Sequence, residues 1–171
     1  MHILIVNNTS IPVKQYGGTE RVIWWLGKQL VHMGHKVSYL VGPGSYCDFA
    51  TSVHVLNHDI PFNQQIPSGV DLVHLNCKVN ETPKIPYIFT LHGNTNDQNP
   101  LDINTVFVSK NHAGEFDTKT CHQYVMENFT STQMTVNYLK KYETVLSGQH
   151  LNDTAPILTT IQTEKFLPFL P

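Results

Sequence analysis

The residues with chemical promise lie where apolar runs stop. Gly17 and Gly18, followed by Thr19 and Glu20, stand between a strand-like run and an apolar helix-like segment in "VNNTSIPVKQYGGTERVIWWL", residues 6–26. Two glycines at such a joint admit two readings. One is a turn that tolerates positive φ. The other is a helix N-terminus left bare, so that a phosphate or carboxylate can sit on the positive end of the helix dipole. Thr19 and Glu20 can cap that helix. His92 follows a strand-like run in "TLHGN" (90–94), and His74 sits similarly in "DLVHLN" (71–76). A lone histidine at a strand end is either a satisfied structural residue or a ligand contact, and the residues alone leave both open.

Other chemistries lack their motifs. The glycine pair does not match G-x-G-x-x-G, and the loop before it is long for a dinucleotide turn; no G-x-x-x-x-G-K-[ST] occurs. No D-x-D pair is present to bridge a diphosphate through a divalent ion, and no G-x-S-x-G suggests acyl transfer. The three cysteines, Cys47, Cys77 and Cys121, are widely spaced and odd in number, so neither a disulfide framework nor a cysteine zinc site is expected. Reduced thiols fit a cytoplasm. Among the ten histidines, His54 and His58 lie four apart, a spacing that suits a metal on a helix, but they flank strand-to-loop sequence.

The elements that must position these residues alternate in type. "HILIVN" (2–7) is a short aliphatic run, expected as a strand buried on both faces. From Thr19 the period becomes helical, with Val22, Ile23, Leu26, Leu30 and Met33 in one stripe and Gly34 at the position of a C-terminal glycine cap. "HKVSYLVG" is the next strand, so the first two strands are parallel. Further strands are expected at 52–56, 70–76, 86–92 and 104–109. The proline- and glycine-bearing stretch 57–69 excludes a long helix there. A second helix is expected over 129–147, capped by Thr130 or Ser131, with Met134, Tyr138, Leu139, Tyr142, Val145 and Leu146 along one stripe.

These elements read as α/β: a single Rossmann-like, doubly wound, mainly parallel sheet with flanking helices. In such sheets ligands bind beyond the carboxyl ends of the strands. A composition of 40% hydrophobic and 14% charged residues in 171 is globular, and a net charge of -2 gives no reason to expect nucleic acid as a partner. No run of about 18 apolar residues is present, so no membrane span is expected. The N-terminal "MHILIVNN" lacks a basic region and a cleavage site and reads as a strand, not a signal peptide.

Taken in order, "MHILIVNN", "YGGTERVIWWLGKQLVHMGHKVSYLVGPGS", "DLVHLN", "TLHGN" and "VFVSKNHAGEF" resemble the amino-terminal domain of family-4 glycosyltransferases of the GT-B fold, over roughly residues 1 to 125. The resemblance implies retaining, metal-independent transfer of a sugar from a nucleotide sugar to a carbohydrate or lipid-linked acceptor. It places Gly17, Gly18 and Thr19 against the donor diphosphate and gives His92 the catalytic contact to the transferred sugar. His74, Gly93, Asn94, Ser109 and Lys110 would line the sugar or acceptor side. No metal or other cofactor is implied.

A complete enzyme of this kind has a second α/β domain that makes most donor contacts, and nothing in this sequence corresponds to it. Instead "CHQYVMENFTSTQMTVNYLKKYETVLSG" follows, and its helix resembles the family's last helix, which crosses back onto the amino-terminal domain. The expected organisation is therefore an acceptor-side domain over 1–127, a returning helix over 128–147 and a tail over 148–171. Such a chain is expected to be inactive by itself and to need a separate donor-binding domain. The competing readings are a noncatalytic Rossmann-like binding module and one subunit of a split transferase.

Overall fold

The aliphatic run after Met1 becomes β1 (His2–Val6), in which Ile3 to Val6 are fully buried. It is flanked on one side by β2 (Lys36–Val41) and on the other by β4 (Leu72–Leu75), both parallel to it. The computed structural model describes residues 1–13, 17–92, 101–107 and 130–155. With β3 (Ser52–Val55), β5 (Tyr87–Leu91) and β6 (Thr105–Phe107), the sheet has six parallel strands in the order β3-β2-β1-β4-β5-β6. The chain winds outward from β1 to β3, then restarts beside β1 and winds the other way. The reversal lies between β1 and β4, where doubly wound sheets open a crevice at their carboxyl ends.

Strand alternation divides the core. Ile3, Ile5, Val37, Tyr39, Leu72 and Ile88 point to one face, which is covered by α1 (Gly18–His32) and α2 (Ser131–Leu146). Helix α1 buries Ile23, Leu26, Gly27 and Leu30. Gly27 is a packing requirement: a Cβ there would stand 1.9 Å from the Tyr39 hydroxyl, which donates to the Ile23 carbonyl at 2.9 Å. Both helices end as expected of a glycine cap. Gly34 (φ +86°) and Gly148 (φ +82°) take the left-handed conformation, and the amides of His35 and Gln149 reach back to the Leu30 and Thr144 carbonyls.

Helix α2 starts as the sequence predicts, with the Thr130 side chain accepting from the Gln133 amide at 3.1 Å. Thr130→Ala is expected to cost about 1 kcal/mol, seen as a lower urea midpoint at unchanged slope. The helix packs back on α1 and β5, but its expected stripe is modified at one end, since Leu146 is exposed.

The opposite face is built differently. Leu4, Val6, Leu40, Val73 and Leu75 pack against Leu56 and Phe62, which come from connecting segments, and among the described residues no helix longer than the 3-10 turn Phe62–Gln65 lies there. Side-chain amides hold these connections. Asn80 accepts from the Phe62 amide and donates to the His58 and Ile60 carbonyls; Glu81 accepts from the Asn63 amide, and Asn63 in turn accepts from the Lys84 amide. Among the described residues no helix is long and apolar enough to cross a membrane.

Candidate functional site

The carboxyl ends of β1, β4 and β5 deliver Asn7, Asn76 and His92 to the crevice, and the start of α1 faces the same end. The register fixes this grouping: Val6 is opposite Leu75 and Leu75 opposite Phe89. The Asn76 amide donates to the Val6 carbonyl at 2.9 Å.

Helix α1 has Gly17 as its N-cap residue, and among the described residues no side chain caps it. This corrects the expectation that Thr19 or Glu20 would do so. Glu20 is engaged by the loop instead: its Oε1 accepts from Thr9 Oγ1 at 2.6 Å, and Thr9 accepts from Asn7 Nδ2. The chain Asn7–Thr9–Glu20 ties the loop after β1 to the first turn of α1. The loop is also seated on the segment after β2, where Ser45 Oγ accepts from the Ile11 amide and donates to the Gly42 carbonyl.

The two glycines at the joint have different reasons to be glycine. A Cβ on Gly17 would lie 2.8 Å from both Glu20 Oε2 and a Val13 methyl, so close packing of the loop accounts for it. Gly18 is exposed, and a Cβ there would meet nothing within 4 Å among the described residues. It lies in the helix, without the positive φ that would ask for glycine. Nothing among the described residues therefore gives a reason for glycine at 18.

His92 is half-buried, and its Nε2 lies 2.7 Å from Asn76 Oδ1. Burial lowers its pKa from the ordinary histidine value, and the Glu20 carboxylate partly opposes this. The ring is thus a neutral imidazole at neutral pH, within electrostatic reach of the first turn of α1.

His74 is placed elsewhere, which corrects its assignment to the acceptor side. It lies within β4 rather than beyond it, is fully buried and faces α2. Its Nδ1 pairs with Tyr142 Oη at 2.7 Å and its Nε2 with Thr90 Oγ1 at 2.8 Å; Thr90 also bonds Tyr138 Oη at 3.0 Å. Both ring nitrogens are engaged by the protein, so the ring offers no contact at the rim. Burial lowers its pKa to about 3, with nearby His92 adding to the effect.

Gly93, Asn94, Ser109 and Lys110 lie outside the described residues. Asn7, Thr9 and Asn76 join the candidate rim without belonging to any motif. Their signal is positional, since each is a polar residue at or just beyond the carboxyl end of one of the two strands flanking the reversal.

Two concavities border this region. A groove of about 240 Å³ runs beside the first turn of α1, lined by Pro12, Val13, Glu20, Arg21, Trp24 and Trp25. A larger cleft of about 370 Å³ lies on the loop-covered face among Cys77, Val79, Tyr87, Phe89 and Asp102, and it includes neither Gly18 nor His92. Its polar groups are largely used internally: Tyr87 Oη donates to Asp102 at 2.6 Å, and burial pushes the Cys77 thiol up to about 11. The chemistry of the rim and this cleft therefore do not coincide, and the rim is the better candidate. Compared with known proteins, the chain matches no family model and no curated protein.

Proposed function

We propose that the chain is the acceptor-side half of a retaining, metal-independent glycosyltransferase, which works on a nucleotide sugar only together with a separate donor-binding domain. The observation that carries this reading is Gly18, an exposed residue on a helix end that no described side chain caps, required neither by backbone conformation nor by packing among the described residues. A glycine of this kind leaves N–H groups approachable from outside. In the proposed reaction these groups face the leaving diphosphate, where charge accumulates in the transition state. Thr19 sits in the same first turn, and His92 meets the transferred sugar. Cys47 and Cys77 are free thiols, which fits a reducing cytoplasm.

A noncatalytic binding module would be favoured by a pair of exposed tryptophans. Trp25 is 52% exposed, but Trp24 packs edge-on against Phe49 with ring centroids 4.9 Å apart. The pair is not a joint platform, so the transferase half is preferred.

The test is calorimetric titration of the purified chain with UDP and a panel of UDP-sugars. Weak binding governed by the diphosphate is expected, because the Glu20 carboxylate in the first turn works against an incoming anion. Gly18→Val is expected to change folding stability by no more than about 0.5 kcal/mol. It should weaken binding by the helix-end contribution of about 1–2 kcal/mol, roughly a 5- to 30-fold loss. Tight, sugar-selective binding would mean that the donor site is complete in this chain. Equal binding by the variant would remove the helix end from the site, and unfolding of the variant would make Gly18 a structural turn residue.

A further inference from the structure

We infer that Asn76 is a positioning residue that holds the His92 imidazole as its Nε2–H tautomer, so that the substrate group meeting the ring is a hydrogen-bond donor such as a sugar hydroxyl. The argument starts from the amide of Asn76. Its Nδ2 lies 3.3 Å from the Val6 carbonyl and 3.3 Å from the His74 carbonyl. Carbonyl oxygens only accept, so the amino end of Asn76 must face them; the reversed amide would set oxygen against two oxygens. The other end, Oδ1, is then the atom 2.7 Å from His92 Nε2. An amide oxygen also only accepts, which requires the proton on Nε2. A neutral imidazole carries one proton, so Nδ1 holds the lone pair.

The consequence for recognition is selective. A lone pair at Nδ1 accepts from a hydroxyl or N–H and repels an anionic oxygen. The rim thereby separates two parts of a ligand, with an anion directed to the end of α1 and a donor to His92. This assignment of the ligand rests on the glycosyltransferase reading, whereas the tautomer rests on the Asn76 geometry alone.

The experiment is nitrogen-15 NMR of the histidine rings in the full chain, with His92 assigned by its absence in His92→Gln. The wild type is expected to show His92 as a single Nε2–H tautomer, and an Nδ1–H tautomer overturns the inference. Asn76→Asp is expected to keep that tautomer and raise the His92 pKa by about one unit or more, because a carboxylate now faces the Nε2 proton. A His92 pKa unchanged in Asn76→Asp means that the contact is not made and also overturns it; a merely structural asparagine would leave the titration unmoved. The wild-type spectrum alone decides the tautomer if the variant does not fold. The expected tautomer in a chain whose UDP binding is unchanged by Gly18→Val leaves the role of Asn76 standing and removes the glycosyltransferase reading built on the end of α1. The opposite tautomer in a chain whose UDP binding is weakened by Gly18→Val removes the role of Asn76 and leaves that reading standing.

Discussion

Gly27→Ala is expected to destabilise the fold by about 2–4 kcal/mol, although alanine is the better helix former by about 1 kcal/mol. The added methyl would stand 1.9 Å from the Tyr39 hydroxyl and 2.8 Å from its ring carbon. Tyr39 is fully buried and cannot yield toward solvent without leaving the core. Overpacking of this kind costs about 1–3 kcal/mol. Displacing the hydroxyl from the Ile23 carbonyl strands a buried donor, at about another 1–3 kcal/mol. Urea denaturation of the variant measures the sum. The double variant Gly27→Ala/Tyr39→Phe should recover part of the loss, because the nearer of the two clashing atoms is gone, and the two changes should be non-additive. A neutral Gly27→Ala would show that the helix and strand do not meet in this way.

The second large effect is expected at His74. His74→Leu keeps approximate size but leaves Tyr142 Oη without its partner in a fully buried site and removes one of the two partners of Thr90. Each buried polar group that loses its partner costs about 1–3 kcal/mol, so a loss of about 2–5 kcal/mol is expected. This is a large fraction of the stability of an ordinary domain.

The same residue sets an acid dependence. The unfolded chain takes up a proton at His74 near its ordinary value of 6.5, while the folded chain does so only near about 3. Between these values the unfolded state holds more protons, so stability falls as the pH falls, by up to about 1.4 kcal/mol per pH unit for this one group. The contribution is complete above pH 6.5 and is lost progressively down to about 3. His92, also lowered by burial, acts in the same direction. Urea midpoints at pH 7 and pH 4.5 should therefore fall more steeply for the wild type than for His74→Leu. Parallel acid slopes would remove His74 from the account.

The contrast between these two sites explains what was legible in advance. The parallel sheet could be read because its strands are largely aliphatic runs, and the helix ends at Gly34 and Thr130 because these residues act within a turn of their own position. Gly27 could not be read. In a helix window it registers only as a weak helix former, and its reason is Tyr39, twelve residues on in strand β2. His74 misled for a related physical cause. A strand buried on both faces has no polar alternation to show where it ends or which way a residue points, so a histidine inside it looks the same as one at its rim. Asn76, two residues later, was the position at the crevice. The absence of a side-chain cap on α1 among the described residues was also hidden, because the Glu20 carboxylate is engaged by Thr9 from the loop after β1.

The return of α2 onto α1 and β5 also bears on how the protein is made. Tyr138, Tyr142 and Val145 complete the same core cluster as Ile23, Leu26 and Ile88. On the ribosome, the strands through β6 and helix α1 are synthesised before any of these three side chains exists. Until α2 leaves the exit tunnel, that face of the nascent sheet holds His74, Thr90 and Ile88 without their cover. The docking of α2 is thus a folding step in its own right, and the interval before it is when the growing polypeptide most needs protection from aggregation.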